Sequence, residues 1–425
     1  MKRLRFMHAA DLHLDSPFKG MSALPEKVRE RMRESTFSAL KELVAVATQE
    51  QVDFVMISGD VYDLSDRSLR AQIRFQKALE QLAAHGIPAY IIHGNHDPED
   101  GRAAKLVWPA GVHFFACDRV ETVQVEKPGR GVIAEIHGIS YRHSAVTDNL
   151  ALQFRASRVD AAQIAMLHTN VDGDPGHDNY APCSKTDLLA AGMHYWALGH
   201  VHTRKVLHER PAIVYPGNLQ GRNIRETGPR GCYLVEMSEE GQAHLTFRAL
   251  DAVRWFHQRL TIAGMQTEQD LKDRVGEALE RIREEADGRD AVVRLTLEGR
   301  GPLSGLLRRG KMLQELTAEL RLDEEERSRF VWVESIEDRT AGELDLAALR
   351  QEKSFLGDLL RYAEALQGDD GALHAFAGEA LAALQSLPQS AGNPAAADPE
   401  RLREWLRAAE ALAADLLSAD GGWAG

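Results

Sequence analysis

Short apolar runs, each closed by a polar or glycine-containing break, set the rhythm of about the first 240 residues. LRFMHA (4–9) reads as a buried strand, and 25–49 as a helix with Pro25 and Glu26 in its first turn. DFVMIS (53–58) is a second strand, 67–84 a second helix, and AYIIHG (89–94) a third strand. These strands are aliphatic and do not alternate with polar residues, which predicts a parallel sheet covered on both faces. Strands recur at VIAEIHG, AQIAMLHT, YWALGH, AIVYPG and CYLVEM, with little helix between the later ones. That spacing predicts a second sheet packed on the first.

The pattern shifts near residue 254. RWFHQRLTI, a helix near 267–286, AVVRLTLEG, a helix near 304–321 and FVWVESI predict a small α/β unit with no new cluster of metal-type ligands. After Asp338 the chain becomes Ala- and Leu-rich and loses its strands. Over 346–366, Leu349, Leu356, Leu359, Leu360, Ala363 and Leu366 share one helical face. A breaker-rich stretch, LPQSAGNPAAADP, leads to a last helix with Leu402, Trp405, Leu406, Ala409, Leu412, Ala413 and Leu416 at i, i+3, i+4, i+7 spacing. Asp398 is placed to cap that helix, with Pro399 in its first position. Apolar stripes of this width must be covered by the protein's own core or by another chain.

Composition narrows the class. At 425 residues the chain exceeds one ordinary core and predicts two or three domains. With 44% hydrophobic and 27% charged residues it is a soluble globular type. No apolar stretch approaches the roughly 18 residues that cross a bilayer, so no membrane association is expected. The N-terminus reaches Asp11 before any signal-type apolar core develops. Cys117, Cys183 and Cys232 are widely spaced and lack a CxxC pairing, which predicts a reduced, cytoplasmic setting. The net charge of −13 lies entirely beyond residue 260: residues 1–260 hold 31 basic and 31 acidic side chains, residues 261–425 hold 20 and 33. A polyanion would approach the first part and avoid the second.

The candidate chemistry sits where the apolar runs stop. The first strand ends in Asp11 and His13 (DLH), the second in Gly59 and Asp60, the third in Gly94, Asn95, His96 and Asp97. Later strands end in His168 (MLHTN) and in Gly199, His200 and His202 (LGHVH). Ligand sites of open α/β sheets form at the carboxyl ends of strands. Imidazole nitrogen with carboxylate oxygen suits a pair of Mn, Fe or Zn ions better than Mg or Ca. In DxH and HxH, side chains two apart on an extended segment point to the same face. The bland alternative is a set of satisfied loop polar residues. Arg222, Arg225 and Arg230, with Arg204 and Lys205, make the densest basic run near these motifs and could be a solvated surface or a track for DNA phosphates. His177 and Asp178 lie in a Gly/Asp/Pro-rich loop, where plain solvation competes with a substrate contact.

The ordered set D-x-H, G-D, G-N-H-D, H and G-H-x-H over residues 11–202 resembles the calcineurin-like metallophosphoesterases. GDVYD, GNHD, DLHLDSPF, HTNVDGDPGHDNYAP, YWALGHVH and YPGNLQGRNIRETGPRG are similar to the bacterial DNA-repair exonuclease branch of SbcD and YhaO. The resemblance covers about residues 4–250 well. It implies an α/β two-sheet sandwich (α/β/β/α) over 1–253, a small α/β capping domain over 254–340 and a helical partner-binding region over 341–425. It implies two divalent ions, most naturally Mn2+, with Asp11, His13, Asp60 and His202 on one, and Asp60, Asn95, His168 and His200 on the other. His96 then orients the phosphate and assists the leaving oxygen, and Asp97 fixes its tautomer. Some relatives carry a histidine where this chain has Asp63. The implied activity is two-metal hydrolysis of DNA phosphodiesters, with DNA, an SMC/ABC-type ATPase or a second copy of the chain as partners, and Arg222 and Arg225 on substrate. Two alternatives stay open: a phosphodiesterase or phosphatase of nucleotides and other small phosphoesters, and a structural protein that tethers an ATPase.

Overall fold

Alternate residues of the apolar strands serve different cores. Strand β1 (Leu4–Ala9) sends Leu4 and Phe6 to one face and Met7 and Ala9 to the other; β2 (Phe54–Ser58) divides Phe54 and Met56 from Val55 and Ile57 in the same way. The computed structural model describes all residues except 19–23, 64–67, 101–103, 105, 175, 177, 309–310, 383–397 and 418–425. The connector expected around 387–397 therefore lies outside the described residues.

On one face of these strands lie helices α1 (Glu26–Gln49) and α2 (Leu69–Ala84), which bury Phe37, Leu40, Leu43, Phe75 and Leu79 against Val55 and Ile57. Ser68 caps α2, its hydroxyl accepting the Ala71 N–H at 3.0 Å. Strands β3 (Ala89–Ile92) and β4 (Val112–Phe114) extend the sheet in parallel. The second sheet comprises β5 (Glu121–Lys127), β6 (Gly131–Gly138), β7 (Ala162–His168), β8 (Tyr195–Gly199), β9 (Lys205–Glu209) and β10 (Ala212–Tyr215), in the order β5-β6-β7-β8-β10-β9. The chain then returns to the first sheet through β11 (Gly231–Met237) and β12 (Ala243–Ala249), giving β12-β11-β1-β2-β3-β4.

The first sheet is parallel from β1 through β2 and β3 to β4, as expected of its first three strands, and antiparallel where β11 and β12 join it. The second is parallel from β6 to β10 and antiparallel at both edges. The short turn at Ser238–Gln242 accounts for the β11–β12 pair, because two strands joined so tightly can pair only antiparallel. Between the sheets, Phe6 stacks on Phe54 at 5.0 Å and meets the edge of Tyr195 at 5.2 Å, all three fully buried. Removing one such ring costs roughly 3–5 kcal/mol. This inter-sheet core holds the strand ends in place.

Beyond it, β13 (Val253–Thr261), β14 (Asp290–Arg300) and β15 (Val331–Ala341) form a three-stranded sheet with α4 (Glu268–Glu285), α5 (Leu303–Arg308) and α6 (Met312–Glu325) between the strands. The chain divides into two compact units, one of residues 1–258, 276–295 and 315–336, the other of 259–275, 296–314 and 337–425. In the second unit the stripe expected over 346–366 is broken into α7 (Leu346–Gln351) and α8 (Phe355–Gln367), because Ser354 caps a new start through the Gly357 N–H. Then follow α9 (Asp370–Ala380) and α10 (Pro399–Leu417), whose first turn Asp398 caps at the Arg401 N–H, 3.0 Å away. Leu360 and Ala414 are fully buried together, whereas Phe355, Tyr362, Leu412 and Leu416 are exposed. Among the described residues no helix is long and apolar enough to cross a membrane.

Candidate metal centre

The polar residues that close the strands are held in conformations that side chains rarely adopt. Asp11, His13, Asp60 and His200 have φ of 53°, 43°, 53° and 98°. Each left-handed non-glycine residue costs on the order of 1–3 kcal/mol, so the surroundings must fix it. They do so through the backbone: the N–H groups of Asp11, His13 and Leu14 donate to the carbonyls of Gly59, Asp60 and Val61 at 2.9–3.1 Å, tying the loop after β1 to the loop after β2. The register of β7 with β8 sets His168 opposite Gly199 and hence beside His200. Gly94 and Gly199 cannot be larger, since a Cβ would strike the Asp60 carboxylate at the first and the Ser58 carbonyl at the second.

Four imidazoles meet at this rim, and each has one nitrogen committed elsewhere. His13 Nδ1 donates to Asp63 Oδ1 at 2.5 Å, and His202 Nδ1 to Glu226 Oε1 at 2.8 Å. His168 Nδ1 donates to the Ser58 carbonyl at 2.9 Å, and His200 Nε2 to the Asp178 carbonyl at 2.7 Å. Carboxylates and carbonyls only accept, so in the neutral rings the remaining nitrogens carry lone pairs. Those lone pairs converge. His13 Nε2 lies 3.2 Å from His202 Nε2, and Asn95 Oδ1 lies 3.0 Å from His168 Nε2 and 3.2 Å from His200 Nδ1. Asp60 Oδ2 is 3.3 Å from His168 Nε2 and 3.9 Å from His13 Nε2, so one carboxylate stands between the two groups. Acceptors turned on one another at such distances call for cations.

The donor set fits divalent metal ions. Asp11, His13 and His202 offer atoms all within 4.8 Å of one another, as do Asp11, Asp60 and His168. The outer hydrogen bonds fix tautomers as metal-binding histidines require. Titration reflects the same crowding. Burial lowers His13 to about 4, with the Arg222 guanidinium adding to the effect. Burial would also lower His168, but the Asp60 carboxylate outweighs it and pushes the ring up to about 9. Burial opposes ionisation of Asp60, yet His168 and His13 hold it well below the usual carboxylate range. The proton retained on His168 occupies the place a dication would take.

His96 lines a cavity of about 290 Å³ beside Asn95, Tyr180 and His200. Its backbone N–H donates to Asp60 Oδ1 at 2.9 Å, and its Nδ1 lies 3.2 Å from Asp63 Oδ1. Burial works against its protonation, but the Asp63 hydrogen bond and the Asp60 charge raise its pKa. The expected role of Asp97 is corrected here: its carboxylate does not hold the His96 ring. It accepts the N–H groups of Gly94, Asp60 and Val61 at 2.7, 3.2 and 2.9 Å and clasps two ligand loops together. Neighbours in sequence on a tight turn point apart, and Asp63, distant in sequence, takes the ring instead.

The basic run divides. Arg222 is 15% exposed and pairs with Asp63 Oδ2 at 3.2 Å, whereas Arg225 is exposed to solvent. Arg230 is buried and donates to the His202 carbonyl and, at 3.1 Å, to Asn218 Oδ1. Lys205 pairs with Asp174, and the exposed Arg204 lies over the Phe247 ring at 3.8 Å. His177 is outside the described residues. Sequence reasoning did not find Glu226, a buried carboxylate in an irregular loop that also accepts the Arg222 N–H at 2.7 Å and Asn218 Nδ2 at 3.0 Å. No spacing signal marks it.

The calcineurin-like phosphoesterase family matches residues 4–204, and the middle domain of metallophosphoesterase YhaO matches residues 255–341. The chain is 40% identical over 348 residues to the uncharacterized metallophosphoesterase YhaO of Bacillus subtilis (strain 168), covering 81% of this chain and 84% of that protein. It is 25% identical to the SbcD component of the nuclease SbcCD from the same organism, covering 53% of this chain and 64% of that one. It is 27% identical to the DNA double-strand break repair protein Mre11 of Thermoplasma acidophilum, covering 58% of this chain and 66% of that one. The chain thus spans just under two-thirds of the length of the last two relatives.

Proposed function

Because this chain belongs to the YhaO metallophosphoesterases of the calcineurin-like family, and is a metal-dependent phosphoester hydrolase, we propose that it is a DNA exonuclease acting in DNA repair with Mn2+. The convergence of lone pairs from Asp60, Asn95 and four imidazoles carries the hydrolase chemistry in this reading. Relatives that are themselves a nuclease component and a double-strand break repair protein support the choice of DNA. On this reading Asp11, His13, Asp60 and His202 hold one ion, and Asp60, Asn95, His168 and His200 the other. Two dications there would supply Lewis-acid activation of water and stabilise negative charge on phosphoryl oxygens. The imidazole-rich set favours Mn over Mg.

The chain's own groups complete the proposal. His96, anchored at Nδ1 by Asp63, presents its other nitrogen for the phosphate and hands a proton to the leaving oxygen. Asp97 acts indirectly, by clasping the loops of Asp60 and Gly94. Arg222 steadies Asp63, and the exposed Arg225 suits a phosphate further along the strand. The three-part division at 253 and 340 belongs to this reading, supported by the middle-domain match over 255–341. So does docking of an SMC/ABC-type ATPase or a second copy on residues 341–425, supported by the exposed Trp405, Leu412 and Leu416. Three unpaired thiols support a cytoplasmic setting.

The test is purified full-length protein with Mn2+ on end-labelled linear duplex, single strands and bis-p-nitrophenyl phosphate. Shortening of duplex from its ends, abolished by chelator and restored better by Mn2+ than by Mg2+, is expected. Hydrolysis of the small diester with DNA left intact would make it an enzyme of small phosphoesters instead.

A further inference from the structure

The four imidazoles are braced by two unlike kinds of partner. His13 and His202 donate to the carboxylates of Asp63 and Glu226, while His168 and His200 donate to the carbonyls of Ser58 and Asp178. An anionic acceptor pulls the ring hydrogen toward itself and makes the opposite nitrogen a stronger donor to a metal, more than a neutral carbonyl does. The oxygen ligands differ in the same sense: the uncharged Asn95 stands with the carbonyl-braced pair, while the Asp11 carboxylate reaches His13 and His202 as well as Asp60 and His168. Two dications a few ångströms apart repel, so loading must be stepwise. The braces decide which step comes first.

We infer that the ion held by Asp11, His13, Asp60 and His202 binds first and more tightly than the ion held by Asp60, Asn95, His168 and His200, with Glu226 and Asp63 as the positioning residues that set this order. The inference rests on the two-ion reading above. The two braces are unequal. Asp63 shares its charge with Arg222 at 3.2 Å and with His96 at 3.2 Å. Glu226 is buried, and its second oxygen accepts the Arg222 main-chain N–H and Asn218 Nδ2. Among the described residues its one close ion-pair partner is His202, with the Arg222 and Arg230 charges acting at longer range. The larger effect therefore belongs to Glu226.

Calorimetric titration of chelator-stripped full-length protein with Mn2+, with free Mn2+ followed by electron paramagnetic resonance, tests this. Wild type should bind two ions in two resolved steps. Glu226→Gln should weaken the tighter step by about 10–100-fold, the usual scale for loss of an outer partner, and move the weaker step by no more than about threefold. Glu226→Asp should recover part of the loss, which a merely structural role would not require. Asn95→Ala should remove the weaker step and keep the tighter one. If metal-free Glu226→Gln melts below wild type, Asp63→Asn carries the same prediction with a smaller shift. Equal affinities in wild type, a tighter step untouched by both brace variants, or loss of the tighter step in Asn95→Ala would overturn the order of loading. Asp60→Ala with both steps intact would overturn the two-ion reading itself.

Discussion

At the strand-end rim, Asp11, His13, Asp60, Asp97 and His168 are at most 1% exposed, and three of the five belong to loops bent into left-handed backbone. In the C-terminal helices, Phe355, Leu412 and Leu416 are 72%, 59% and 55% exposed on otherwise regular backbone. One region buries polar groups at a cost and the other exposes apolar groups at a cost. Neither arrangement favours the chain folded by itself. The rim is made tolerable by the inter-sheet core beneath it, where Phe6, Phe54 and Tyr195 interlock. The helices keep only an inner stripe, Leu360 with Ala414 and Leu373 with Leu402, as their own core. A group held against its solvation preference marks a candidate place for a ligand or a partner.

The sharpest way to break this contrast is at the shared carboxylate. Asp60→Ala should lose both ions and lower hydrolysis of a small phosphodiester by far more than the roughly hundredfold typical of losing an outer partner. Metal analysis beside the rate decides it, and an active, metal-replete variant would remove Asp60 from the centre. Next, His96→Ala should lower turnover by roughly 10²–10⁴-fold, the range for a lost general acid, with metal content unchanged. Asp97→Ala should act differently, because three N–H groups lose their acceptor at roughly 1–3 kcal/mol each. Its melting temperature should drop well below that of His96→Ala, and equal melting of the two would contradict the clasp.

A smaller effect separates polar groups that await a ligand from polar groups that are already satisfied. His8 is fully buried behind the rim, 3.0 Å from the Tyr195 hydroxyl and 3.1 Å from the Leu198 carbonyl, and burial lowers its pKa from 6.5 to about 3. The unfolded chain takes up a proton near 6.5 that the folded chain refuses until about 3. Stability is thus complete above 6.5 and declines as pH falls toward 3, by up to about 1.4 kcal/mol per pH unit from this residue. His8→Gln should flatten the slope of unfolding free energy between pH 6 and 4 by about one proton. An unchanged slope would mean that His8 is charged in the fold.

The rim was legible in the sequence because each candidate ligand closely follows an apolar run, and a run buried on both faces ends where its polar neighbours must surface together. Its supports were not. Glu226 reaches His202 through a loop held by Asn218 and Arg222, and such tertiary contacts leave no periodic mark. Asp97 misleads by adjacency to His96, while Asp63 lies 33 positions before it and makes the contact. The return of β11 to the first sheet was equally hidden, since its aliphatic run fits either sheet. In the helical region the stripes were plain, but Ser354 splits the first of them by a cap that competes with helix continuation.

The smallest expected effect tests the other side of the contrast. Leu412 and Leu416 lie on the outer face of α10, and Leu360 lies on the inner face of α8. Gln at the two outer positions keeps length, helix propensity and net charge, so it isolates the loss of apolar surface. The double variant should change unfolding free energy by no more than about 0.5 kcal/mol, whereas Leu360→Ala should cost roughly 2–5 kcal/mol. Hydrolysis of a small phosphodiester should stay within about twofold of wild type in the double variant. Association, read by light scattering for a second copy, should weaken if that copy covers the stripe. A double variant that melts as early as Leu360→Ala would show the outer stripe to be core, and the difference between the two regions would then be one of degree.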